Sequence, residues 1–197
     1  MTDLLGKELL RHFHVFSHAV ESVLQNSVAA KVSGGTLSFR QVSLLVLVSS
    51  KGGHLVGDVV HFLGVSYAAA SQTVDKLVKL GHVNLESDPR DRRVKRISIT
   101  PKGADVARRF QEEQERRLHR VLREYDAETL QNFSVSLADM SALLLATGQD
   151  EGEKTCLQCG IFDVRGCVLD GETETACPYQ NHWDEHAEPP PPSTSIK

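Results

Sequence analysis

The stretch Gly64 to Gly103, GVSYAAASQTVDKLVKLGHVNLESDPRDRRVKRISITPKG, constrains the fold most, because a helix, a strand, a charged loop and a second strand follow one another in it without a break. Ser66 reads as a helix cap, since a serine oxygen can accept from an otherwise unpaired amide of the first turn, so a helix starts at Tyr67. Ala70, Val74 and Leu77 recur on one face of that helix, while Ser71, Gln72, Asp75 and Lys79 look outward. Gly81 supplies the stop. Val83 to Glu86 and Val94 to Ile99 then alternate as two strands around the tip SDPRDRR.

Upstream, Val56 to Leu63 is a short apolar helix, and the turn at Gly64 joins it to the capped helix in helix-turn-helix fashion. The predicted fold class is mainly α with a small β-wing: a winged helix-turn-helix with long N- and C-terminal helices. A capped polar-faced helix of this kind can lie in a DNA major groove, where Ser and Gln hydrogen-bond base edges. The basic hairpin reaches phosphates or an adjacent minor groove. A charged hairpin alone is usually a solvated turn; the capped helix beside it is what points to nucleic acid. Tyr67 either contacts DNA or packs under the wing. Asp75 is expected to pair with a wing arginine, because phosphate repels a carboxylate.

The pattern D-x-R-D-R-R, then a strand and T-P-K-G, all after a helix ending L-x-x-L-G-x-V, resembles the MarR family. Here it is Asp88, Arg90, Asp91, Arg92, Arg93 and Thr100 to Gly103, and the likeness covers about residues 1–147. The resemblance implies that Arg90 enters the minor groove, that Asp91 and Arg93 hold the loop's shape, and that Ser66, Ala69, Ser71 and Gln72 face bases. With Tyr67, Arg92 and Lys95 these form the expected DNA-binding set. The first half of the helix, Tyr67 to Gln72, departs from arginine-based readout, since it carries no Arg or Lys. The resemblance further implies a transcription regulator, a repressor, whose terminal helices intertwine into a homodimer on a pseudo-palindromic double-stranded site. It also implies a small-molecule effector, for which no residue can be nominated. An intramolecular helical bundle is the alternative to the dimer.

The net charge of -4 at first opposes nucleic acid, yet it is unevenly spread. Residues 1–150 hold 19 Lys+Arg against 17 Asp+Glu, net +2, and residues 151–197 hold 3 against 9, net -6. DNA binding therefore rests on the local cluster Arg90, Arg92, Arg93, Lys95 and Arg96. No basic leader precedes an apolar segment, and no run reaches the roughly 18 apolar residues of a membrane span, so no membrane partner and a cytoplasmic location are expected.

Elsewhere in residues 1–147, Leu4, Leu5, Leu9, Leu10, Phe13, Phe16, Val20, Val23 and Leu24 predict an amphipathic helix from residue 3 to about 28. It carries His12, His14 and His18; the last two lie one turn apart, but without a third ligand they read as packing or interface residues. Ser38 caps a helix from Phe39 to about Val48 that is apolar nearly all round and so central to the core. Leu55 is expected in a short third strand. Thr100-Pro101 starts a helix to about Glu124. Its thin stripe, Val106, Phe110, Leu118, Val121 and Leu122, suits packing outside the winged core. Asp126 caps a last helix, Ala127 to about Thr147, with Leu130, Phe133, Leu137, Met140, Leu143 and Leu144 inward.

Residues 148–155 read as a polar linker, 156–183 as a cysteine-rich segment and 184–197 as a disordered Pro-rich tail. All four cysteines fall in the motif C-x2-C-G-x6-C-x9-C-P: Cys156, Cys159, Cys167 and Cys177. In a reducing cytosol such clustering points to metal ligation or redox chemistry before structural disulfides. Four thiolates in so short a window can surround one metal centre. A second C-x2-C knuckle is missing and Cys177 precedes a proline, which favours an iron-sulfur cluster, with zinc the alternative. His182 reads as a bystander. The chain is expected not to be an enzyme. A thiol-disulfide oxidoreductase using Cys156 and Cys159 would favour a helix N-terminus in a βαβ context, whereas this pair follows an all-helical region. A third reading is a constitutive DNA binder whose tail is a protein-interaction module. The reading favoured by the sequence is a regulator that responds to redox or metal state.

Overall fold

The computed structural model describes residues 2–50, 54–87 and 95–147. One helical rod opens the chain and runs to Ser33, five residues beyond its expected end. It consists of α1 (Thr2–Ala19), a π-helical turn (Val20–Asn26) and α2 (Ser27–Ser33). Gly34 ends it in the left-handed region, φ 62, where a side chain would be strained. Then follow α3 (Phe39–Ser50), β1 (His54–Leu55), α4 (Val56–Leu63), α5 (Tyr67–Lys79), β2 (Val83–Ser87), β3 (Lys95–Ile99), α6 (Pro101–Leu122) and α7 (Ala127–Thr147). The fold class is the one the sequence predicts: mainly helical, with a three-stranded antiparallel sheet of order β1-β3-β2.

Central position for α3 follows from its composition. Val42, Leu44, Leu45, Val46, Leu47 and Val48 are all buried, each contributing about 1.5–3 kcal/mol by leaving water. Ser38 begins the helix through a reciprocal pair: its Oγ accepts from the Gln41 N–H at 3.4 Å, and Gln41 Oε1 accepts from the Ser38 N–H at 3.0 Å. The short strand expected at Leu55 is present, pairing His54 with Ile97 and Leu55 with Arg96. Asp58 accepts the Leu55 N–H at 2.7 Å and so turns β1 directly into α4.

α6 corrects one expectation. Its first half belongs to the winged core, with Val106, Ala107 and Phe110 buried and the Phe110 ring 5.9 Å from that of Phe39. Gly103, whose missing side chain lets the helix approach the start of β2, explains the difference. Leu118 and Val121, in the second half, remain exposed as the thin stripe implied.

Farther along α6, Glu113 is buried and gathers three cations. Lys31 of α2 donates at 2.9 Å, Arg117 Nε at 2.8 Å, and Arg116 through two nitrogens. The Arg116, Lys31 and Arg117 hydrogen bonds hold its carboxyl well below the usual carboxylate range. Lys31 and Arg116 are 54% and 53% exposed and can return to water if the carboxylate is removed. That keeps the expected cost of Glu113→Gln at about 2 kcal/mol in urea unfolding at pH 7, below the full penalty for orphaning buried charge. Because the folded-state value is depressed, the ion cluster stabilises fully above the ordinary value of 4.5 and is lost as pH falls toward the depressed one. The gap between wild type and variant should therefore narrow as pH is lowered below 4.5; a gap that stayed constant would contradict this role for Glu113.

α1 and α7 stand apart as an arm. Phe16 meets Phe133 edge to face, ring centroids 6.0 Å apart, yet Leu5, Phe16, Phe133, Leu143 and Leu144 stay between 47% and 68% exposed. The two apolar stripes touch without covering each other. The Asp126 carboxylate accepts from the Thr129 N–H at 2.8 Å, which is the expected cap of α7. The His14 and His18 rings lie nearly parallel with centroids 6.4 Å apart, and both residues are exposed. Among the described residues no group of three or more His, Cys, Asp or Glu is placed to hold a metal, and no helix is long and apolar enough to cross a membrane.

Candidate nucleic-acid interface

The turn between α4 and α5 is built by Gly64 at φ 60 and by the Ser66 cap, whose Oγ accepts from the Ala69 N–H at 3.3 Å. Because the oxygen accepts in that bond, the Ser66 hydroxyl keeps a proton it can still donate. Ala70, Val74 and Leu77 seat α5 on the core. Its opposite face presents Tyr67, Ala68, Gln72, Asp75, Lys76 and Lys79, all exposed. Tyr67 is 61% exposed among the described residues. Ala69 and Ser71 are half-buried, so Ser71 is placed less openly than its expected outward position. It lies toward the edge of the face, next to buried Ala70.

Lys76 and Lys79 were not among the residues expected at the interface, although both follow exposed polar positions by one helical turn. Lys76 also ties α5 to α3, its Nζ donating to Gln41 Oε1 at 3.2 Å. These two carry positive charge on a helix whose first half has no Arg or Lys.

The T-P-K-G motif proves to be a clamp at the far end of α5. Thr100 Oγ1 donates within reach of two carbonyls, Gly81 O at 2.8 Å and His82 O at 3.0 Å, and accepts from the Gly103 N–H at 3.1 Å as the cap of α6. Pro101 occupies the first turn of α6, where its missing amide leaves nothing unpaired. Lys102 Nζ donates to Leu80 O at 2.8 Å, satisfying a carbonyl at the end of α5. A side-chain carbon at Gly103 would lie 2.1 Å from His82 O, so only glycine fits there. His82 is buried, and its Nδ1 has no hydrogen-bond partner among the described residues. Burial, followed by the Lys102 charge, pushes its ring below the ordinary imidazole value, so it stays neutral at pH 7.

β2 and β3 carry the wing. Their register pairs Val83 with Ile99, Leu85 with Ile97 and Ser87 with Lys95, and Ile97 is fully buried. Lys95 Nζ donates to Ser87 Oγ at 2.7 Å across the last rung, and Lys95 and Arg96 are exposed. Arg90, Asp91, Arg92 and Arg93 lie outside the described residues, as do Cys156, Cys159, Cys167 and Cys177. The ion pair expected between Asp75 and a wing arginine of that tip likewise falls outside them. A helix-turn-helix, a clamp and a strand pair thus follow one another from α4 to the start of α6.

Residues 36–94 match the MarR family. The match runs from the turn before α3, across α5, to the wing. Solved structures agree on the fold. The YusO protein of Bacillus subtilis superposes with a TM-score of 0.60 at 16% identity, over 72% of this chain and 97% of that one. RV1404 of Mycobacterium tuberculosis gives 0.56 at 22%, over 75% and 95%. A cysteine-to-serine variant of E. coli MarR, solved with operator DNA, gives 0.55 at 19%, over 68% and 93%. At such identities the likeness is one of fold. No curated protein matches the chain.

Proposed function

We propose that the chain is a dimeric, sequence-specific DNA-binding transcription regulator, a repressor. The observation that carries this reading is the outer face of α5: a capped helix with Tyr67, Gln72, Lys76 and Lys79 exposed, beside the wing strands, within the segment that matches the MarR family. The E. coli neighbour in complex with operator DNA supports it. Each protomer offers one such helix and one wing, and a pseudo-palindromic site takes two. The open stripes of α1 and α7 supply what a second copy would cover, and a small-molecule effector acting on that assembly completes the reading. The test is fluorescence anisotropy with duplex selected from a randomised pool, together with a solution mass. A two-chain mass and salt-sensitive binding are expected; a single-chain mass, or no enriched duplex, overturns the proposal.

The four cysteines add a regulatory layer to the proposal. Cys156, Cys159, Cys167 and Cys177 would hold an iron-sulfur cluster, with zinc the other metal their thiolates suit. Anaerobic purification should give a brown protein containing iron and sulfide, and replacing Cys156 and Cys159 by serine should remove both. Loss of the cluster should change operator affinity by at least about tenfold if it biases the dimer by an ordinary coupling free energy. Equal affinity with and without metal would remove the sensing role and leave DNA binding untouched.

A further inference from the structure

The rod that opens the chain faces two ways. At roughly 100° per residue, the stripe Leu5, Leu9, Phe13, Phe16 and Val20 of an uninterrupted α-helix would point roughly 150° away from the buried face Val28, Ala29 and Val32. The π turn changes that. Its bonds skip one residue more than the α pattern, as where the Ser27 N–H reaches Ser22 O, and one extra residue re-aims everything before it by roughly 100°. The arm stripe and the core face are thereby brought to within roughly 50° of each other.

α6 holds this turn open. Gln114 Nε2 donates to Leu24 O at 2.9 Å, and Arg117 Nη1 donates to Val23 O at 2.6 Å and to Ser27 Oγ at 3.1 Å. The guanidinium is itself oriented by Glu113, which accepts from Arg117 Nε at 2.8 Å. A widened helical turn with side chains from another element bonded to its carbonyls localises the change of direction at one place instead of spreading it along the rod.

We infer that residues 20–26 are a rotational joint and that Gln114 and Arg117 are its lock: as positioning residues they set the angle between the arm and α5. This rests on the two-site DNA reading above, in which that angle fixes the separation of the paired recognition helices. Both lock residues bond to the rod and not to α5 or the wing strands. Their effect falls on half-site spacing, not on affinity for a single half-site.

The test uses the full chain carrying Gln114→Leu with Arg117→Met, and separately a deletion of Ser22 that restores the α pattern. In the lock variant, amides of residues 23–27 should exchange at least about tenfold faster, with thermal unfolding of the core retained. Among duplexes that differ only in half-site spacing, the preference of wild type for its best spacing should collapse to within about threefold. The Ser22 deletion, being folded with its stripe turned away, should shift the preferred spacing or reduce the solution mass to a single chain. Unchanged exchange in the lock variant, or an unchanged spacing preference in both variants, overturns the joint. If wild type enriched no duplex, the DNA reading would fail, and the exchange measurement would still decide the joint by itself.

Discussion

Alanine at both Arg90 and Arg92 should weaken binding of the selected duplex at least about 100-fold near 0.1 M salt and flatten its salt dependence. Each arginine that neutralises a phosphate releases a counterion, so the slope of log K against log salt should fall by about 0.9 for every phosphate no longer neutralised, summed over both protomers. A control separates the wing from charge in general. Arg108 of α6 is bonded to Asp105 at 2.6 Å and to Glu112 at 2.7 Å, two solvent-exposed ion pairs of little energetic weight. Arg108→Ala removes the same kind of formal charge and should leave both affinity and slope nearly unchanged. Equal losses in log affinity per charge removed would mean that binding follows net charge and that the wing has no special place.

Gly103→Ala is the change expected to damage the fold most. The added carbon would sit 2.1 Å from the His82 carbonyl oxygen, 2.8 Å from Ile99 Cδ1 and 3.0 Å from the His82 carbonyl carbon. Ile99 can rotate away. The carbonyl cannot, because His82 O accepts from the Thr100 N–H at 3.1 Å and His82 N–H donates to Leu77 O at 2.9 Å. α6 must therefore back off from β2, loosening the packing around Val106, Ala107 and Phe110. A cost of about 3 kcal/mol is expected, at the upper end for overpacking, read as a lowered urea midpoint. Alanine at Gly57, an exposed position of α4 where the added carbon would meet nothing within 4 Å, should be neutral or slightly stabilising. Similar midpoints for the two variants would show that the α6 start is not fixed by this close approach.

Much of the fold was legible because it is written in local chemistry. Ser66 and Thr100 cap the helices they were expected to cap, Gly81 turns at φ 74 after α5, and the apolar run of α3 is buried as its composition requires. The π turn was not legible. Nothing in VESVLQN distinguishes it from α-helix, and the groups that hold it come from α6, some ninety residues away. Glu113 is hidden for the same reason: it is one charged side chain among many on α6 until the fold brings Lys31 beside it. At the candidate interface the sequence located the helix and its polar face, with Lys79 on it, but the expected contacts lay in its first half and left out Lys76 and Lys79. The helical period is plain in the residues themselves; how far along the helix the exposed face continues is not, because packing against the core decides it.

The Thr100–Gly103 clamp has a mechanical corollary. The last strand of the hairpin, the tail end of the reading helix and the root of α6 are spliced at four consecutive residues, so none can tilt without levering the others. On the DNA-binding reading proposed above, a duplex pressing on the hairpin would pull on α6 at its base, and a twist of α6 would reach the outer face of α5 through the same splice.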